Sequence, residues 1–161
     1  HLSIRRQRQM CIRDRSNTGV LISQQDIFQG TIRDNITMGD TTVSTDVLFS
    51  ISQKTGLDAF VGELELGFDS EIDPAGKKLP EKIKQGVLLA RALLNNKQLL
   101  LLENPFAGLE TTTKEDIRQT IASIDNTTVI VTSSTNMDQD VFDTIIYLEN
   151  GAVASVQKNN K

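Results

Sequence analysis

The stretch Leu99-Leu-Leu-Leu-Glu103-Asn104-Pro105-Phe-Ala107-Gly108-Leu109-Glu110 decides the fold class. Its apolar run from Leu99 to Leu102 is bounded by polar residues, the signature of a strand buried on both faces of a parallel sheet. Immediately upstream, Ile83, Val87, Ala90 and Leu94 recur at i, i+4, i+7 and i+11, one face of a helix lasting until Asn95, with Pro80 where a first-turn proline is tolerated. Downstream, Thr111 to Ile124 reads as a helix opened by the capping pattern Thr112-Thr-Lys-Glu115, and Thr128 to Val131 as another buried strand. Ile145 to Leu148 and Ala152 to Val156 flank Glu149-Asn-Gly151, a hairpin with an Asn-Gly turn. Toward the N-terminus, Gly19 to Ile22 reads as a buried strand ending in a loop at Ser23-Gln24-Gln25. Val47, Leu48 and Ile51 suit a helix running to about Lys54, with Gly56 as its stop. Gly62 to Lys78 is Gly-, Asp- and Glu-rich and reads as loop and short strand, with a turn at Pro74-Ala-Gly76. Alternating strands and helices predict an α/β domain with a central, mainly parallel sheet.

The chain has 161 residues, enough for one core, and at 38% hydrophobic and 24% charged it has an ordinary globular composition. No apolar run approaches the roughly 18 residues that a membrane-spanning helix needs. Residues 1–15 differ from the rest of the chain. They hold the only Cys (Cys11), the only His (His1), five Arg and one Asp. A basic arm for nucleic acid or anionic lipid is one reading of this string. The favoured one is a non-native leader, because the string resembles the translation of a sequencing adapter. Of the 17 basic and 21 acidic residues, removing those five and one leaves 12 basic and 20 acidic, a net charge of −8. A body this acidic argues against a nucleic-acid partner. Without Cys or His it also excludes disulfides, Cys or His zinc sites, Ser-His or Cys-His nucleophiles and imidazole acid/base chemistry.

Four segments, in order, resemble the ABC ATPase family, and the likeness covers nearly all of residues 19–156. Ile22-Ser-Gln24-Gln-Asp-Ile-Phe-Gln-Gly30-Thr-Ile-Arg-Asp-Asn-Ile36 is similar to the Q-loop segment of exporter-type cassettes, in which a strand-end glutamine joins the Mg²⁺ site and couples to the transmembrane domain. Gln24 takes that place, and its amide oxygen is a hard ligand suited to Mg²⁺. Gly76-Lys-Lys-Leu79-Pro-Glu-Lys-Ile83 through Leu94 resembles the signature helix, with Pro80, Glu81, Lys82 and Ile83 standing where the family has Ser-Gly-Gly-Gln. In the family, that helix start receives the γ-phosphate of ATP held by the opposite cassette. Pro80 removes a donor, Glu81 places like charge beside the phosphate, Lys82 partly offsets it, and side chains replace the glycines that allow close approach.

Leu99 to Glu110 resembles the Walker B strand followed by the D-loop, Ala107-Gly108-Leu109-Glu110. The resemblance puts Glu103 at the Mg²⁺-ordering Asp and Asn104 at the general base. An amide cannot take a proton from water, a loss on the order of 10² to 10⁴ in rate. Glu103 as base fails on register, because Pro105 and the Ala-Gly-Leu-Glu run fix Asn104 at that place. Val129-Ile-Val-Thr-Ser133-Ser134 and Asp143 to Gly151 resemble the switch strand and the strand pair after it. The switch histidine falls on Ser133 or Ser134; spacing to Asp143 favours Ser134, while the Val-Thr pair favours Ser133. Either serine donates a hydrogen bond but carries no charge.

No G-x-x-x-x-G-K-[ST] loop occurs, and Gly76-Lys-Lys lacks both its upstream glycine and its hydroxyl residue. Truncation is the simplest account. The resemblance implies a P-loop NTPase-like cassette fragment over residues 16–161, with a helical signature subdomain at about 37–97 and a C-terminal hairpin. ATP and Mg²⁺ belong to the intact parent, with weak or no binding expected from the fragment and no strong ATPase activity of its own. The expected partners are a transporter's transmembrane domain and a second nucleotide-binding domain, at the cytoplasmic face of the membrane. The alternative is a non-transport scaffold or interaction module built on the same fold.

Overall fold

The protein's structure, a computed structural model, describes residues 17–22, 24–72, 79–94, 97–134 and 139–159. The leader at 1–15 and the Pro74-Ala-Gly76 turn lie outside them, and the helix expected to last until Asn95 ends at Leu93, with Leu94 extended. In chain order the elements are β1 (Thr18–Leu21), β2 (Gly30–Thr31), α1 (Ile32–Thr37), α2 (Thr45–Thr55), α3 (Asp58–Gly62), β3 (Glu71–Ile72), α4 (Glu81–Leu93), β4 (Leu99–Glu103), α5 (Thr111–Ala122), β5 (Thr128–Thr132), β6 (Thr144–Glu149) and β7 (Ala152–Lys158).

The expected α/β architecture is present. β1, β4 and β5 form a parallel sheet in the order β1-β4-β5, while β2 pairs antiparallel with β3 and β6 with β7. Helix α4 joins two cores. Ile83, Val87, Ala90 and Leu94 pack with Ile27, Ile36, Leu48, Leu57 and Phe68 among the short helices. Leu88, Leu89 and Ala92 on its other side pack with Leu21, Leu100, Leu102, Ile117 and Ile121 beneath the sheet. Sheet and helix meet at Gly19, where an added Cβ would collide with the Ala92 carbonyl oxygen and come within 2.5 Å of Leu100 Cδ2.

Several local expectations shift. β1 begins at Thr18 and ends at Leu21, leaving Ile22 beyond it and 42% exposed. The face expected of α2 is carried by Leu48 and Ile51 without Val47, which is exposed; Ser44 caps the helix start, and Gly56, with φ of 69°, ends it. Pro80 is the cap residue of α4 rather than a first-turn residue, and its carbonyl accepts from the Ile83 and Lys84 amides at 2.9 and 3.1 Å. The capping pattern predicted for α5 does not form. Glu110 occupies the cap position, and Glu115 instead accepts a two-pronged bond from Arg118, each arm 2.7 Å, and one from Gln119. With Thr111 as the first helical residue, Thr112 lies inside the helix and Glu115 stands past the position from which a side chain reaches back to the cap amide, so its carboxylate is free to take the guanidinium.

Nor are β4 and β5 buried on both faces. In β4 only Leu100 and Leu102 are fully buried; in β5 half-buried Val129 and Val131 alternate with exposed Thr128, Ile130 and Thr132. Alternation of the pleat turns each strand's second face away from α4 and α5. The hairpin turns as predicted, with Asn150 and Gly151 at φ of 51° and 77°. The positive φ at both positions is that of a type I′ turn.

Candidate nucleotide-binding site

Parallel pairing aligns Leu21 with Leu102 and Glu103 with Thr132, so the three sheet strands end together. In open α/β sheets ligands bind in the crevice outside these carboxyl ends. Four sequence-predicted positions come to this edge. Gln24 sits exposed in the turn that leaves β1, a turn closed by the Gln25 amide donating to the Ile22 carbonyl at 3.0 Å. Glu103 ends β4 and is half-buried, and Ser133 and Ser134 follow β5 on the surface. Gln24 and Glu103 offer an amide and a carboxylate oxygen at one sheet end. That donor set fits Mg²⁺, which takes a few protein oxygens and fills its shell with water and phosphate.

Asn104 is the hub of this edge. It adopts φ of 44°, the left-handed region that Asn tolerates better than most residues. Its amide donates to the Thr132 carbonyl at 2.8 Å, and its side-chain Oδ1 accepts from the Ser134 amide at 3.1 Å. Its carbonyl accepts from the Ala107 amide at 3.0 Å. Gln85 of α4 donates to the carbonyls of Asn104 and Pro105 at 3.4 and 3.2 Å. One side chain thus ties the exit of β4 to the exit of β5, and it meets Ser134 rather than Ser133.

The four positions expected at the signature do not act as one surface. Pro80 and Glu81 are exposed and Lys82 is half-buried. Ile83, at 7% exposure, belongs to the first core and presents nothing to a ligand. The D-loop positions divide similarly: Ala107, Gly108 and Glu110 are exposed, whereas Leu109 is buried in the second core. Gly108, at φ of 69°, stands against Glu81, whose Cγ lies 3.1 Å from where a Cβ would be. The start of α4 and the turn after β4 are therefore in contact within this one chain.

Sequence reasoning missed the polar scaffold that fastens the segment after β1. Asn35 is fully buried, and its Nδ2 donates to the carbonyls of Phe28 and Thr31, each at 3.0 Å, while its Oδ1 accepts from the Phe28 amide at 3.0 Å. Thr31 and Asp34 cap α1 reciprocally. Arg91 of α4 donates to the Asn35 carbonyl at 2.7 Å and more weakly to Asn35 Oδ1 and the Asp26 carbonyl, each at 3.4 Å. Its guanidinium lies 5.8 Å from the Phe28 ring centroid, and burial lowers its pKa. Lys84, two turns earlier on α4, pairs with Asp26 at 3.0 Å, and its hydrogen bond holds that carboxyl below the usual range. The Asn of the Phe-x-Gly-Thr-Ile-x-x-Asn-Ile pattern was the available signal. Among the described residues there is no His/Cys/Asp/Glu cluster able to hold a metal alone, and no helix long and apolar enough to cross a membrane.

Known proteins bear the same architecture. The chain is 30% identical over 138 residues, 85% of its length, to a candidate export ATP-binding/permease protein of Rickettsia felis, of which it covers 24%. An ABC transporter ATP-binding protein of Bacillus subtilis, YknV, is also 30% identical, over 139 residues, with 23% of that relative covered. The chain therefore spans about a quarter of the length of these curated relatives. A solved bacterial Atm1-family ABC exporter with ATP bound superposes with a TM-score of 0.81 at 28% identity, covering 89% of this chain and 25% of that one. No family model matches the chain.

Proposed function

Because this chain belongs to the ABC transporter family as part of an exporter-type ATP-binding cassette, we propose that it is the catalytically degenerate half of an exporter's nucleotide-binding unit. Residues 16–161 are then the C-terminal part of the cassette, with about 37–97 as its helical signature subdomain and 1–15 foreign to it. The parent protein binds ATP and Mg²⁺, meets a second cassette and transmembrane domains, and works at the cytoplasmic face of a membrane. Gln24 and Glu103 would hold the Mg²⁺. The ion would offset phosphate charge and orient water, while the chain's own residues position the strand ends around it.

The observation that carries this reading is Asn104. At the general-base position stands an amide, already committed to the Ser134 backbone. It cannot accept a proton at neutral pH. Pro80 and Glu81 add a missing donor and an anionic side chain at the start of α4, which disfavours a phosphate there. The site that Asn104 lines then binds without turning over, and any hydrolysis rests on the partner's general base, at a second site whose share of α4 is weakened.

The test is steady-state ATP turnover by the full-length protein assembled with its partner. Asn104→Ala should leave the rate within about twofold, while removal of the partner's general base abolishes it. Turnover lost on changing Asn104 but retained on changing the partner would refute the assignment.

A further inference from the structure

Resting on that assignment, we propose that Arg91, assisted by Lys84, is a positioning residue that makes the segment Gln24–Ile36 and helix α4 one rigid body. Movement imposed on the exposed turn at Gln24 or on Phe28 is then delivered to the Pro80–Ile83 end of α4. Arg91 is half-buried, and among the described residues no carboxylate pairs with it; two carbonyls, one side-chain amide oxygen and one ring hold it. Burying a guanidinium against neutral acceptors is unfavourable, and a Met or Leu would fill the space without that penalty. What the guanidinium adds is geometry. Its planar fork reaches Asn35 through both Nε and Nη2 and Asp26 through Nη1, which a lysine cannot reproduce.

Both ends of the clamp are stiff. On the segment's side, Asn35 and the Thr31–Asp34 box bind the loop to itself. On the other side, α4 is a continuous helix from Glu81 to Leu93, packed into two cores. Lys84 and Arg91 stand two turns apart on it, about 10 Å along the axis. Both reach Asp26, one at its carboxylate and the other at its carbonyl. Two attachments separated along the axis resist rotation of the segment as well as sliding, as a single contact would not.

The test places spin labels on Gln29→Cys and Glu81→Cys in the full-length protein, with any native cysteines replaced by serine, and reads the distance distribution with and without MgATP. With Arg91 present the distribution is narrow and unmoved by MgATP. Arg91→Met should broaden it at least twofold and make its mean respond to nucleotide; Arg91→Lys should recover the narrow distribution only in part. Lys84→Met, which removes one ion pair and no bond to Asn35, broadens it by a smaller amount and covers the case in which Arg91→Met fails to fold. A distribution that stays narrow in both Met variants, or a wild-type distance that shifts with MgATP, overturns the proposal. Binding of a fluorescent ATP analogue is measured in parallel. Its absence from the wild-type protein would count against the cassette assignment, while the nucleotide-free widths still decide whether the clamp exists.

Discussion

Replacing Asn35 with Ala removes a side chain that satisfies three backbone groups of the segment after β1: the Phe28 amide, the Phe28 carbonyl and the Thr31 carbonyl, all at 3.0 Å. A fourth bond, from Arg91 Nη2, is left out of the sum because Arg91 keeps its shorter bond to the Asn35 carbonyl. Each backbone group stranded without a partner costs about 1 to 3 kcal/mol. The bonds at Phe28 are only part-buried, so the lower end of that range applies to them. The sum is about 3 kcal/mol, on the order of 100-fold in the folding equilibrium constant. The assay is urea denaturation of the full chain followed by circular dichroism, since the protein has no Trp and a single Tyr. At a slope of about 2 kcal/mol per molar urea the midpoint falls by roughly 1.5 M. Asn35→Asp separates the two halves of the amide, because it keeps an acceptor for Phe28 and Arg91 but has no donor for the two carbonyls. A loss below about 1 kcal/mol for Asn35→Ala would refute the claim that this amide builds the segment.

Three further outcomes rest on packing and charge. Gly19→Ala drives a Cβ into the Ala92 carbonyl in the last turn of α4, so β1 or that turn must shift and a loss of about 2 to 3 kcal/mol in the same denaturation assay is expected; a neutral result would show that β1 and α4 can separate. Ile83→Gln, which restores the family's glutamine, buries an amide in the first core and should lower stability by about 2 kcal/mol without raising ATP turnover; a gain in turnover would contradict the burial. Glu115 is held at about 2 by its bonds to Arg118 and Gln119. Its folded-state pKa is depressed, so its contribution is complete above about 4.5 and is lost as pH falls toward 2. Glu115→Gln should flatten the stability-versus-pH curve across that window and leave its shape unchanged above about pH 5, readable from acid titration of thermal midpoints.

How much of the molecule was legible in the sequence depends on the range over which each cause acts. The periodic run Ile83, Val87, Ala90, Leu94 and the Asn150-Gly151 turn are set by local geometry, and both formed as read. Local competition could not be ranked by pattern. Thr112-Thr-Lys-Glu115 satisfies a capping template, yet the helix starts earlier, at Thr111, and the Glu115 carboxylate pairs with Arg118 one turn on. Burial of both faces of β4 and β5 was inferred from apolar runs alone. Coverage of a strand depends on elements distant in sequence, and the described residues cover one face. The site shows the same division. Gln24, Glu103, Asn104 and Ser134 reach one sheet edge because strand ends in a parallel sheet converge, which the order of motifs already implied. The bonds of Asn104 to Ser134, of Gln85 to the turn after β4, and of Lys84 and Arg91 to Asp26 join residues 19 to 65 positions apart. No spacing rule encodes such pairs. They also give Asn104, which the resemblance places at the general base, a structural role. Asn104 crosslinks two strand ends through its backbone amide and through Oδ1; an aspartate would keep that acceptor, while the left-handed backbone at φ of 44° favours Asn.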